Sequence, residues 1–223
     1  MVAQRLSIIV PALNEAGRIG ACLEALAPLR GRGHEVIVAD GGSSDATRTL
    51  AAGHCDLVLE TSRGRAVQMN AGARAASGDA LLFLHADTFL PAGADGLVLE
   101  AVKDHLWGRF DVEIEGRHPL LKVVACAMNL RSRLTGIATG DQAIFVRRDA
   151  FAGFPGIALM EDVAFCTTMK RRGRPACLRL RVRTSGRRWE ARGVLRTIIL
   201  MWRLRLMYCL GARPERLARL YEK

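Results

Sequence analysis

The chain has 223 residues, of which 50% are hydrophobic; this excludes a disordered segment and suffices for one core with an appendage. Its 33 Lys and Arg against 22 Asp and Glu give a net charge of +11, and from Lys170 onward the only acids are Glu190, Glu215 and Glu222. Such a tail reads as a surface for anions: nucleic acid, acidic lipid headgroups or a phosphate-bearing substrate. The 6 cysteines are scattered without a C-x-x-C pair, which argues against a zinc site or a disulfide framework. Most read as small core residues in a reducing cytoplasm.

The opening "MVAQRLSIIVPALNE" lacks the charged, apolar and cleavage regions of a signal peptide, so a cytoplasmic chain is expected. "RLSIIV" (5–10) is a β-rich run stopped by Pro11. "EAGRIGACLEALAPL" (15–29) has helical periodicity through Ile19, Leu23 and Leu26. "EVIVAD" (35–40) is a second strand, and "SDATRTLAA" (44–52) a helix started by Ser44 or Asp45. A third strand, "DLVLE" (56–60), precedes an Ala-rich helix over 65–76. "ALLFLH" (80–85) is a fourth strand, with a helix over 94–106 beyond Pro91. If the strand stays extended, His85 and Asp87 face the same way; the plainer reading is a turn in which Asp87 bonds nearby backbone.

Strands alternating with helices at this spacing predict an α/β chain with a mostly parallel sheet flanked by helices. The second half is less regular. "RFDVEIEG" (109–116) alternates like a partly exposed strand, "PLLKVVACAMNLRSRL" (119–134) is a helix, and "QAIFVRR" (142–148) is a strand. A helix over 161–173 ends at Gly173. "GVLRTIILMWRLRLMYCLG" (193–211) is too broken by arginines to span a membrane. It is either a docked amphipathic helix or one lying on an anionic membrane surface.

Ligands of open parallel sheets bind beyond the carboxyl ends of the strands. That rule selects four loops: "PALNE", "DGGSSD", "SRGRA" and "HADT". "DGGSSD" lacks the lysine of a Walker loop and is not G-x-G-x-x-G, so Asp40 suits a ribose or a base N–H better than phosphate. Asp87 suits a hard divalent ion, because Mg²⁺ often takes one or two carboxylates and completes its shell from phosphates and water.

In order and spacing, "SIIVPALNE", "EVIVADGGSSDAT", "QMNAGARAASGD", "LFLHADT" and "GFPGIALMEDVAF" resemble family 2 glycosyltransferases, over about residues 5–190. The chain looks like a compact subgroup with "HAD" in place of Asp-x-Asp. The resemblance implies a GT-A fold, with a catalytic domain over 1–190 and a helical appendage over 191–223. The nucleotide half would cover about 1–90 and the acceptor half about 91–190. It implies an inverting transfer of a sugar, a hexosyl group by preference, from a nucleoside-diphosphate sugar. A UDP-sugar is the favoured donor, and a divalent Mg²⁺ or Mn²⁺ assists. On this pattern Pro11, Ala12, Asn14 and Glu15 line the nucleotide pocket and Asp40 meets base or ribose. Asp87 binds the metal beside His85 and Ala86, and Arg65 contacts the diphosphate. Asp162 of "MED" is the catalytic base, with Glu161 beside it.

Each assignment has a plainer alternative. Glu161 and Asp162 also fit the acidic preference of a first helical turn. Asp141 and Gln142 line the acceptor side or merely form a turn. Arg188 and Trp189 in "GRRW" close over the diphosphate and acceptor, or form a basic surface around a packed Trp. His34, His54, His105 and His118 show no ligand spacing. Two rival functions remain, a nucleotidyltransferase and a basic nucleic-acid-binding module. The first wants a basic phosphate loop where "PALNEAGRIG" stands. The second wants stacking aromatics, and the basic region offers only Trp189, Trp202, Tyr208 and Tyr221, so no specific nucleic acid is expected. Peripheral contact with an anionic inner membrane face stays open.

Overall fold

The computed structural model describes residues 5–222. The first four residues of the leader reading and the last of the appendage lie outside the described residues. In chain order the elements are β1 (Leu6–Ala12), α1 (Ala16–Gly31), β2 (Glu35–Asp40), α2 (Thr47–Ala52), β3 (Leu57–Glu60), α3 (Arg65–Ala75), β4 (Ala80–Phe83) and β5 (Thr88–Phe89). Then follow α4 (Ala94–Asp104), β6 (Trp107–Glu115), α5 (Leu120–Thr135), β7 (Phe145–Arg147), α6 (Glu161–Arg172), β8 (Ala176–Ser185), α7 (Arg187–Arg192), α8 (Val194–Cys209) and α9 (Pro214–Glu222). Short 3₁₀ turns cover Gly140–Gln142 and Arg148–Ala150.

The strands form one sheet in the order β3-β2-β1-β4-β7-β6-β8-β5. β3, β2, β1 and β4 run parallel, as the alternating pattern predicts. β7 is antiparallel to both β4 and β6, whereas β6 and β8 are parallel. Side chains alternate across the sheet. Ile8 and Val10 therefore join α1, α4 and α5 in one apolar layer, while Ile9 joins α3 and α6 in the other.

Local departures from the sequence reading have identifiable causes. β1 continues through Pro11 because the missing N–H lies on the β4 side, where pairing has ended at Ile9 and Phe83. α2 starts three residues late because the Asp45 carboxylate takes the Thr47 N–H and hydroxyl and holds the chain in a turn. β4 ends at Phe83, and the Thr88 N–H donates to the His85 carbonyl at 3.0 Å. His85, Ala86 and Asp87 are thus part of a turn and not of an extended strand. β6 is buried from Trp107 to Val112, because buried Arg109 pairs with Asp111. β7 is shorter than expected because Gly140–Gln142 coil first. β8, with its exposed Arg179, Arg181 and Arg183, was masked by its charge, although Val182 and Thr184 are buried between them.

The C-terminal segment is docked along one face. Val194, Thr197 and Leu204 of α8 are buried, and Leu204 packs with Met160 and Leu217. Ile199, Trp202, Leu206 and Leu210 remain exposed. No described helix is long and apolar enough to cross a membrane.

One histidine without ligand spacing has a structural task. The Leu6 N–H donates to His34 Nδ1 at 3.3 Å, so Nε2 carries the proton and donates to Asp95 at 3.0 Å. Arg32 donates to the same carboxylate oxygen at 2.6 Å. Burial would raise the Asp95 pKa, but the bonds from Arg32 and His34 outweigh it and hold the carboxyl at about 2. A depressed carboxyl stabilises the fold fully above its unfolded pKa and loses that contribution as pH falls through the folded value. Asp95→Asn should therefore lower stability at pH 7 by on the order of 1–2 kcal/mol. In acid titrations of Tm, the difference from the parent should shrink between about pH 4 and pH 2.

Candidate functional site

A cleft of about 440 Å³ opens over the carboxyl ends of β1 and β4. Three of the four selected loops reach it. The β1 end contributes Pro11, Ala12 and Glu15, the β3–α3 loop Arg63 and Arg65, and the β4 end His85, Ala86 and Asp87. Opposite lie Thr139–Asp141, the entry to α6 with Glu161 and Asp162, and Arg188, Trp189, Arg192, Arg205 and Tyr221 from the C-terminal segment.

The fourth loop, after β2, serves as a support. Asp40 is fully buried, and its carboxylate accepts the N–H of Gly42 at 3.1 Å, the N–H of Ser43 at 2.9 Å and the Ser43 hydroxyl. Asn14 sits at φ 54°; its side-chain oxygen takes the Ser44 N–H at 2.9 Å, and its own N–H donates to Ser43. Neither Asp40 nor Asn14 lines the cleft. Together they staple the β2 loop onto the β1 loop. Gln142 is also fully buried, donating to Ser132 at 3.0 Å and to Asn129, and it too stays off the cleft wall.

Asp162 sits in the first turn of α6. Its Oδ1 accepts the Val163 N–H at 2.7 Å and its Oδ2 the Gly140 N–H at 3.1 Å. Burial, and then the like charge of Glu161, push its pKa up to about 6, against the pull of these two N–H groups and of Arg65. A carboxylate in that range is ionised at neutral pH yet basic enough to accept a proton. Glu161 is buried and lies 3.5 Å from Arg65 Nη1. Burial alone would lower the Arg65 pKa, but Glu161, Asp141 and Asp162 hold it raised, so this guanidinium stays a fixed cation on the wall. Arg188 reaches Glu15 at 3.2 Å and joins the C-terminal segment to the β1 loop.

Asp87 lies half-buried at the cleft, and no side-chain hydrogen bond to its carboxylate is made among the described residues. It is therefore available for a ligand. His85 is committed elsewhere: Nδ1 lies 3.2 Å from Asp141 Oδ1, and Nε2 is buried against Gly140 without a partner. Among the described residues no group of three or more His, Cys, Asp or Glu is placed to hold a metal ion. The donor set thus fits a divalent ion only as a single hard carboxylate whose remaining ligands come from substrate oxygens and water.

Several cleft residues escaped sequence reasoning. Arg63 shares the "SRGRA" loop with Arg65 and was within reach of the strand-end rule. Thr139, Arg192, Arg205 and Tyr221 arrive by long-range packing, which local pattern does not encode. Arg131 lies behind the wall. Burial lowers its pKa against the opposing field of Asp162, and its Nε and Nη2 have no hydrogen-bond partner among the described residues.

The fold is similar to solved transferases. It matches Staphylococcus aureus TarS 1–349 in complex with UDP-GlcNAc at TM-score 0.65 and 20% identity, covering 81% of this chain and 58% of that one. It matches glucosyl-3-phosphoglycerate synthase from Mycobacterium tuberculosis, in complex with Mn²⁺, UDP and glucosyl-3-phosphoglycerate, at TM-score 0.58 and 18% identity, covering 82% and 71%. This is the GT-A fold, with its mixed sheet and flanking helices. Residues 7–150 match the family model described as Glycosyl transferase family 2, and the chain belongs to that family. Over 97 residues it is 36% identical to a PGL/p-HBAD biosynthesis glycosyltransferase of Mycobacterium bovis (strain BCG / Pasteur 1173P2). That stretch spans 40% of this chain and 38% of the relative's length. The family match ends before α6, so Asp162 is placed by the structure and not by that match.

The turn at Gly140 is sterically closed. A Cβ there would lie 2.4 Å from His85 Nε2. Gly140→Ala should displace the turn, weaken the N–H bond to Asp162 and separate Asp141 from His85. A histidine-selective NMR spectrum at fixed pH should show displaced His85 ring signals with the global fold retained.

Proposed function

We propose that this chain transfers a sugar from a nucleoside-diphosphate sugar, a UDP-sugar by preference, to an acceptor hydroxyl with inversion at the anomeric carbon. The observation that carries this reading is one cleft in which a carboxyl of pKa about 6, Asp162, faces Arg63, Arg65 and the free carboxylate of Asp87. The UDP-GlcNAc bound by TarS and the UDP and Mn²⁺ bound by the mycobacterial synthase support the donor class and a divalent ion.

In this reading Asp162 accepts the proton of the acceptor hydroxyl. The acceptor oxygen bonds to the anomeric carbon as the bond from that carbon to the diphosphate oxygen breaks. The electron pair leaves with the nucleoside diphosphate. A single displacement assisted by one base inverts the centre. Arg65 and Arg63, which line the cleft, stabilise the negative charge developing on the leaving group in this reading. When bound at Asp87, Mg²⁺ or Mn²⁺ supplies Lewis-acid stabilisation of that same charge. Arg188 and Trp189 line the cleft and take the diphosphate and acceptor side in this reading. Asp40 and Asn14 act at one remove, by fixing the loops that hold Pro11, Ala12 and Glu15. The base or ribose contact expected of Asp40 would have to reach a fully buried carboxylate that already accepts from Gly42 and Ser43. A nucleotidyltransferase is not favoured, since the loop after β1 presents Glu15 and not a basic phosphate cradle.

Release of nucleoside diphosphate from a panel of sugar nucleotides, with hydroxylated acceptors, tests the reading; no release from any donor would sink it. Asp162→Asn should cut turnover on the order of a hundredfold or more while sparing donor binding. Only ionised Asp162 accepts a proton, so kcat should rise with pH through about 6 and then level off. Glu161→Gln removes the like charge that raises Asp162, so this limb should move to lower pH. A raised carboxyl costs stability once ionised, so the Tm of Asp162→Asn at pH 8 should equal or exceed that of the parent.

Asp87→Asn addresses the ion separately. Calorimetric titration of UDP should show weaker binding in Mg²⁺ or Mn²⁺ and little change in chelator. Equal metal-dependent binding in the folded variant would remove Asp87 from the ion site.

A further inference from the structure

The inner face of α8 reaches the cleft through Thr197, Met201 and Arg205. Its outer face bears Leu195, Ile199, Trp202, Leu206 and Leu210, which are 63, 67, 74, 61 and 78% exposed. At about 100° per residue these five side chains fall within an arc of roughly 80°, opposite buried Thr197 and Leu204. This is a continuous apolar ridge about four turns long, not a scatter of single exposed residues. Arg196 and Arg203 flank it on one side and Arg205 on the other. From Ala191 to Pro214 there is no acidic residue. Neighbouring α5 shows a second exposed stripe in Val123, Leu130 and Leu134.

We infer that the outer face of α8 docks this protein on an anionic lipid bilayer, lying in the interface without crossing it. The charge pattern selects this occupant. An apolar ridge with basic flanks matches acyl chains below and anionic headgroups beside them, where arginine stems extend outward to the phosphate level. Trp202, at the middle of the ridge, is the side chain best suited to a boundary that is apolar on one side and wet on the other. A second copy of the chain is a poorer occupant. Apposing two such ridges brings Arg196, Arg203 and Arg205 of each copy together with no acid on either helix to neutralise them. Docking would set the cleft wall formed by Thr197, Met201 and Arg205 within about one helix diameter of the membrane. The inference needs no substrate and stands apart from the transfer reaction.

Flotation of the full chain with phosphatidylglycerol-containing vesicles and with pure phosphatidylcholine vesicles tests it, at low and high salt. The expected result is flotation with the anionic vesicles, reduced by salt, and none with the neutral ones. Ile199→Ser/Trp202→Ser/Leu206→Ser should lower the vesicle partition coefficient by at least about tenfold, with circular dichroism and Tm preserved. Arg196→Gln/Arg203→Gln should abolish the preference for anionic vesicles, and it decides the matter if the triple variant misfolds. A chain that stays in solution with both vesicles overturns the inference. So does vesicle binding that neither variant alters, or a dimer in analytical ultracentrifugation that the triple variant dissociates. Nucleoside diphosphate release is assayed separately without vesicles, so either reading can fail alone.

Discussion

The arrangement of the cleft depends on one short turn, Thr139–Ala143, held from three directions. Gly140 donates its N–H to Asp162 at the start of α6. Asp141 meets His85, which follows β4. Gln142 inserts its amide among Asn129 and Ser132 of α5. The chain then enters β7, which pairs antiparallel with β4. The parallel strands of the first half and helix α6 are therefore registered by the same five residues. His85 packs so closely on Gly140 that no side chain fits between them. This gives a physical account of a histidine where the motif resemblance leads one to expect an acid: its ring fills and fastens this joint.

Strain and unpaired polar groups collect around that joint. Asp162 is ionised only at a cost, Met160 takes a left-handed backbone at φ 71° immediately before α6, and Ala143 takes one at φ 44°. The buried polar atoms without partners among the described residues are His85 Nε2, Thr139 Oγ1 and guanidinium nitrogens of Arg109 and Arg131. Elsewhere among the described residues the buried polar side-chain atoms have partners. Such clustering follows when groups are positioned for a ligand and not for maximal stability. The Asp95, Arg32 and His34 cluster is the contrasting case: its hydrogen bonds hold the carboxylate ionised, and it lies outside the cleft.

What was legible in the sequence was the part governed by local periodicity. β1 to β4 and the helices between them follow from short apolar runs and 3.6-residue spacing, and the strand-end rule then finds Glu15, Arg65 and Asp87. Legibility fails where a side chain has a partner far along the chain. Asp40 and Asn14 look alike as loop polar residues, yet Asp40 folds its own loop onto Gly42 and Ser43, Asn14 ties that loop to the one after β1, and both leave the cleft to their neighbours. Gln142 reads as a site residue because of its place beside Asp141, but the 3₁₀ turn rotates it inward. β8 reads as a charged tail because arginines hide its two-residue alternation. The contributions of Arg192, Arg205 and Tyr221 depend on how α8 and α9 fold back, and no local signal carries that information.

That return of the chain links the cleft to the outer surface of α8. Met160, the strained residue that starts α6, is buried against Leu204 of α8 and Leu217 of α9. The same α8 offers Arg205 to the cleft and its apolar ridge to the outside. Met160, two residues before Asp162, is thus the side chain by which α8 and α9 pack on the entry to α6. The apolar contacts of Met160 are what make its left-handed backbone tolerable, because burial there offsets a conformational cost of about 1–3 kcal/mol. Removing the helix would expose that cost, and the first turn of α6, with its carboxylate, would be free to relax.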